Sequence, residues 1–166
     1  MDSLPNTFVI LDIDVKEFLE VNKEKVAKIT KIYALKVIQT PNGLEVIQKF
    51  NKNTQSSNFI NVLEDFLIFC EEYKLLIYSY GNVYKTIKQN LHYYKNNKQK
   101  YHYWEDLFLD VCDVLNKYID TNQYNSNTVY SSFPININKN NKSGAEAGAL
   151  SIFVTLDYIL HHNSSI

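Results

Sequence analysis

FVILDID, Phe8 to Asp14, sets a run of apolar residues directly before two carboxylates that stand one residue apart. Phe8, Val9, Ile10 and Leu11 are too few for a helix and rich in β-branched types, the pattern of a strand buried on both faces. In an extended chain residues i and i+2 leave the same face, so Asp12 and Asp14 project into one small volume at the end of that strand. Like charges so placed are tolerated where a divalent cation sits between them, or where a turn carries them out to water. The residues leave both readings open.

Outward from this strand, Val15–Lys25 is polar and reads as a helical turn or a loop. Val26–Thr40 alternates apolar and polar residues with much β-branching, a long strand. Pro41-Asn42-Gly43 supplies turn chemistry and Gly43–Phe50 alternates again, giving an antiparallel hairpin. Ser57 or Asn58 can cap a helix over Phe59–Tyr73, whose apolar residues recur at helical spacing. Lys74–Tyr80 is a second short apolar run, placed as a buried strand parallel to the first. A helix follows from Gly81, with Val83, Ile87 and Leu91 on one side. Trp104–Ile119 reads as a third helix, with a short extended piece at Tyr101–Trp104 before it. Asp120–Lys142 is a polar loop, and Gly144–His162 is a last helix whose small-residue first turn can pack closely on a sheet. The order βββαβα with two further helices predicts an α/β fold. Its mixed sheet, a β-meander followed by alternating helices, is flanked by helices in the ribonuclease H-like manner.

A chain of 166 residues has room for one domain with a sizeable core, taken as residues 1–166. With Lys and Arg numbering 17 against 18 Asp and Glu, no global basic field holds nucleic acid, so any such binding is local. Cys70 and Cys112 lie in apolar helical patterns away from any metal-ligand spacing and read as core residues of a reducing compartment. No apolar run reaches membrane length and no leader pattern opens the chain, which predicts a soluble intracellular protein, cytoplasmic or nuclear, without membrane partners. The heavy use of Asn, Lys, Tyr and Ile reflects coding from an AT-rich genome.

FVILDID, the PNG hairpin, NVLEDFLIFCEEYKLLIYSYG, WEDLFLDVCDVL and GAEAGALSIFVTLDYIL together resemble the DEDDh 3′–5′ exonucleases of the ribonuclease H-like superfamily. The resemblance implies two divalent metals held by an Asp-x-Glu on the first strand, an Asp past the fourth strand and an Asp on the last helix, with a His before it as general base. Two metals would clamp the attacking and leaving oxygens of a phosphoryl displacement. On this chain Asp12 matches the first acid and Asp14 stands where Glu is usual. Tyr84 stands at the third acid, Lys142 near the general base and Ala147 near the last acid. Glu146 is one residue out of register. Tyrosine is neutral and bulky at ordinary pH and cannot replace a carboxylate.

The resemblance therefore implies a catalytically degenerate exonuclease-like domain, a pseudoenzyme with no cofactor or with weakly bound Mg²⁺ or Mn²⁺ at Asp12 and Asp14. Its partner would be single-stranded nucleic acid or a protein, bound through the former active-site cleft. One alternative is an active metal-dependent exonuclease using Asp12, Asp14 and Glu146 as catalytic residues. Another is a protein–protein module, perhaps a homodimer through an exposed sheet edge. Lys98, Lys100, Tyr101, Tyr103 and Trp104, with Lys142, combine aromatic faces and cations as a strand-stacking surface does, although a helix-end cluster packed on the core has the same composition.

Overall fold

The computed structural model describes residues 4–54, 58–72, 74–94, 104–118 and 144–163. Five strands, β1 (Thr7–Val21), β2 (Glu24–Thr40), β3 (Gly43–Asn53), β4 (Ile77–Ser79) and β5 (Phe108–Asp110), form one sheet in the order β3-β2-β1-β4-β5. The helices are α1 (Phe59–Phe69), α2 (Gly81–Tyr93), α3 (Val111–Tyr118) and α4 (Gly144–Asn163). β2 runs antiparallel to β1 and β3, whereas β4 is parallel to β1 and β5 parallel to β4.

The central position of β1 follows from its apolar run. Phe8, Val9, Ile10 and Leu11 are all fully buried, and each such side chain contributes roughly 1.5–3 kcal/mol by leaving water. Val9 and Leu11 pack with α1 and α2 residues such as Leu63, Phe66 and Ile87. Phe8 and Ile10 face the other way, toward Leu115 of α3 and Ala145, Ala149 and Ile152 of α4. The sheet thus lies between two helical layers, and the alternation that sends Phe8 and Ile10 toward α4 also sends Asp12 and Asp14 there.

Several expectations from the sequence hold. Asn58 caps α1, its side chain accepting from Ile60 N at 2.9 Å. Gly43 takes a φ of 130° at the β2–β3 turn, a conformation that a side chain would strain. Val83, Ile87 and Leu91 are the buried face of α2. Cys70 is buried and Cys112 half-buried, and burial pushes the Cys112 thiol up to about 11.

Two expectations are corrected. Residues 15–25 are neither helix nor loop: β1 continues to Val21, Asn22 and Lys23 turn with φ of 50° and 67°, and β2 begins at Glu24. The ladder shifts register between Asp14 and Phe18, where Glu17 takes a φ of 66°. This bulge breaks the two-residue period that marks a strand. The second correction falls on Trp104–Ile119. There a tight helical turn at 104–107 leads into β5, and α3 starts only at Val111, so the order among the described residues is βββαβαβαα. β4 offers an open edge that three residues of the expected helix pair with, Ile77 with Phe108 and Ser79 with Asp110.

The bulge is completed from α2. Ile29 and Ala27 flank the slipped position of β2, and the fully buried Asn90 serves both. Its Oδ1 accepts from Ile29 N at 3.1 Å and its Nδ2 donates to Ala27 O at 2.9 Å. One side chain thereby satisfies two backbone groups that the ladder leaves over.

Candidate functional site

Asp12 and Asp14 stand at the end of the buried part of β1, under the first turns of α4. Asp14 is engaged by that helix, for Ala145 N donates to its Oδ1 at 2.7 Å. A carboxylate so placed satisfies one of the free N–H groups of a helix start and sits at the positive end of the helix dipole. Asp12 Oδ1 accepts from Ile13 N at 2.8 Å. Burial is the largest influence on Asp12, the Ile13 N–H opposes it, and the neighbouring Asp14 charge adds to it. Together they push its carboxyl from 3.8 up to about 7.

The fit between α4 and β1 depends on two glycines, four residues apart on one helix face. A Cβ on Gly144 would stand 3.0 Å from Asp14 Oδ1. A Cβ on Gly148 would overlap Asp12 Oδ2 and stand 3.0 Å from Asp12 Cγ. The helix backbone thus closes directly over both acids, and Gly148 rather than Ala147 is the residue opposite Asp12.

Glu146 lies in the first turn of α4 and is half-buried. Tyr33, the cross-strand partner of Asp12, has its phenol raised by burial first and by the Glu146 charge second. Among the described residues the Tyr33 hydroxyl is buried without a hydrogen-bond partner. Tyr84 is part of a different layer: its ring packs at a tilt on Phe108 with centroids 4.5 Å apart, Lys88 Nζ lies 5.3 Å from its centroid, and burial leads in pushing its phenol up to about 12. Trp104, expected as a stacking face, is instead fully buried against Phe66 and Phe108, with centroids 5.8 Å away in each case. Its rings are therefore closed to a nucleobase. Lys98, Lys100, Tyr101, Tyr103 and Lys142 lie outside the described residues, as does the loop at 120–142.

An acid that the sequence reading passed over, Asp110, ends β5. Its Oδ1 accepts from Cys112 N at 2.9 Å, opening α3, and its carboxylate lies against Gly81 at the start of α2. Asp110 alternates with Leu109, which packs on the α3–α4 side, so it leaves the sheet on the face opposite Asp12. Among the described residues no three His, Cys, Asp or Glu side chains gather as a metal-ligating group. A two-metal centre does not fit these residues. Asp14 Oδ1 already accepts a helix N–H, Asp12 lies tight against a glycine backbone, Tyr84 packs on an aromatic ring, and Ala147 brings no donor.

No protein-family model matches the chain, and none of the curated proteins matches it. No helix among the described residues is long and apolar enough to cross a membrane.

Proposed function

We propose that the chain is a ribonuclease H-like domain of exonuclease type that has lost two-metal cleavage and works by binding nucleic acid or a protein partner. Support for the fold comes from a sheet in which only β2 runs against the other four strands, with helices on both faces. The observation that carries the loss of cleavage is the contact of Asp14 with Ala145 N beside the Asp12–Gly148 approach. The two acids that would grip a metal now seat a helix. Incubation of the full chain with end-labelled DNA and RNA single strands in Mg²⁺ or Mn²⁺ tests this. Intact strands are expected, and degradation that disappears in Asp12→Ala overturns the reading.

A second reading, an active exonuclease using Asp12, Asp14 and Glu146, is favoured by the place of Glu146 in the first turn of α4, between Ala145, which bonds Asp14, and Gly148, which lies against Asp12. Calorimetric titration with Mn²⁺ separates the two, since this reading requires binding that Asp12→Ala removes. A homodimer through the outer edge of β3, where Ile47 is half exposed, would give a doubled mass on a sizing column. That edge also carries Lys49 and Lys52, which oppose strand-to-strand pairing.

A further inference from the structure

On the face of the sheet opposite α4, the tip of the β1–β2 arm leans over α2 and encloses a groove of about 430 Å³. Val21, Asn22, Glu24 and Val26 form the arm wall, and Lys85, Lys88, Gln89 and His92 form the α2 wall. The volume lies within the range of small-molecule sites. Spacings of three and four residues put Lys85, Lys88, Gln89 and His92 in one stripe along the helix. Lys85 and Lys88 are both exposed along this wall, and Lys88 Nζ lies 5.3 Å from the Tyr84 ring centroid. Lys85 makes no ion pair among the described residues, and the contact of Lys88 with Glu105 is 3.8 Å long between half-exposed side chains, a geometry that contributes little in water. Asn22 Nδ2 approaches His92 Nε2 at 3.5 Å across the groove. Val26 is buried and Val21 half-buried, so the arm wall is apolar below a polar rim.

We propose that this groove binds a phosphorylated ligand of about mononucleotide size, its phosphate held by Lys85 and Lys88 and its less polar body laid against Val21 and Val26. Two ammonium groups against the single carboxylate of Glu24 give the lining a net positive charge, complementary to a phosphate. Glu24 and Gln89 are acceptors for hydroxyl or amino groups of the same ligand. The site shares no residue with the Asp12–α4 contact and stands whether or not the chain cleaves nucleic acid.

The test is a titration of the isotopically labelled full chain, followed by amide resonances, with thymidine monophosphate, with thymidine and with a thymidine pentanucleotide. The monophosphate is expected to shift Val21–Val26 and Lys85–His92 saturably, and thymidine to bind at least about tenfold more weakly, since a charge-assisted phosphate contact is lost. Lys85→Ala with Lys88→Ala, both exposed positions, is expected to weaken the monophosphate by about tenfold or more at an unchanged melting temperature. Shifts that avoid these residues, or equal binding by wild type and the double variant, overturn the proposal. Binding of the pentanucleotide without the monophosphate overturns the small-ligand assignment in favour of a strand. Nuclease activity in the separate assay leaves it untouched.

Discussion

The seat of α4 on β1 and the groove between α2 and the β1–β2 arm are built on the same two strands, yet they treat polar groups in opposite ways. At the seat, two carboxylates are drawn in under a helix. Asp14 takes a helix N–H, Asp12 is covered by a glycine, and Ala145 and Ala149 let the helix come close enough to do this. At the groove, Lys85 and Lys88 stay exposed around open volume. A carboxylate oxygen that already accepts a helix N–H, as in Asp14, has less left for a ligand, whereas an exposed ammonium with a weak partner retains most of its interaction energy. Residue types alone would suggest the reverse, with the acids as the functional cluster and the lysines as a solvated face.

The largest expected way to break this contrast is pH. Asp12 has its carboxyl raised from 3.8 to about 7 in the folded chain, chiefly by burial, so the folded state binds the proton more tightly than the unfolded one. Stability from this group is full below pH 3.8, is lost progressively as the pH rises toward 7, and is gone above it. Over that window the loss is on the order of 4 kcal/mol, about 3 kcal/mol of it between pH 5 and 8. Urea unfolding at those two pH values should show the drop in wild type and a much flatter profile in Asp12→Asn. A parallel profile in both would place Asp12 in water and reopen the seat.

Asn90→Leu comes next. It strands Ile29 N and Ala27 O in a buried bulge, at a cost of about 2–4 kcal/mol, measurable as a lower urea midpoint. Because Val26 and the groove hang on that bulge, the same variant should also lose the arm's amide protection from hydrogen exchange ahead of that of β1 residues 8–11.

Gly148→Ala tests the seat directly. Alanine favours a helix interior by about 1 kcal/mol over glycine, but overpacking typically costs 1–3 kcal/mol and here the new methyl overlaps Asp12. A net loss of about 2 kcal/mol is expected, and Asp12→Ala in the same chain should restore most of it. A stabilised single variant would mean that α4 does not close on Asp12. The smallest effect is Asp14→Ala, where loss of the carboxylate at the start of α4 should cost about 1 kcal/mol in thermal unfolding.

Where the sequence was legible, local physics and tertiary packing pointed the same way. The apolar run of β1, the Asn-Gly turn after β2 and the capped amphipathic α1 each fulfil a local preference that the core also needs. The second half of β1 was hidden because its bulge spoils the strand period, and because Asn22-Lys23 turns the chain without the glycine that usually marks such a turn. β5 was hidden for another reason. Leu107, Phe108 and Val111 suit a helical spacing as well as a strand, and only the free edge of β4 decides between them. The groove left one faint trace, the polar stripe on α2, and nothing local says that an arm formed some sixty residues earlier lies over it.

The sequence by itself determined that FVILDID would be a buried strand ending in paired acids, because four apolar residues have few places to go but the middle of a sheet. What those acids do was decided only in three dimensions. The N–H that Asp14 accepts comes from a residue 131 positions away, and the glycine over Asp12 comes from the same helix. A carboxylate meets a metal, water or a helix start according to what the rest of the chain brings to it, and no stretch of sequence around FVILDID carries that information.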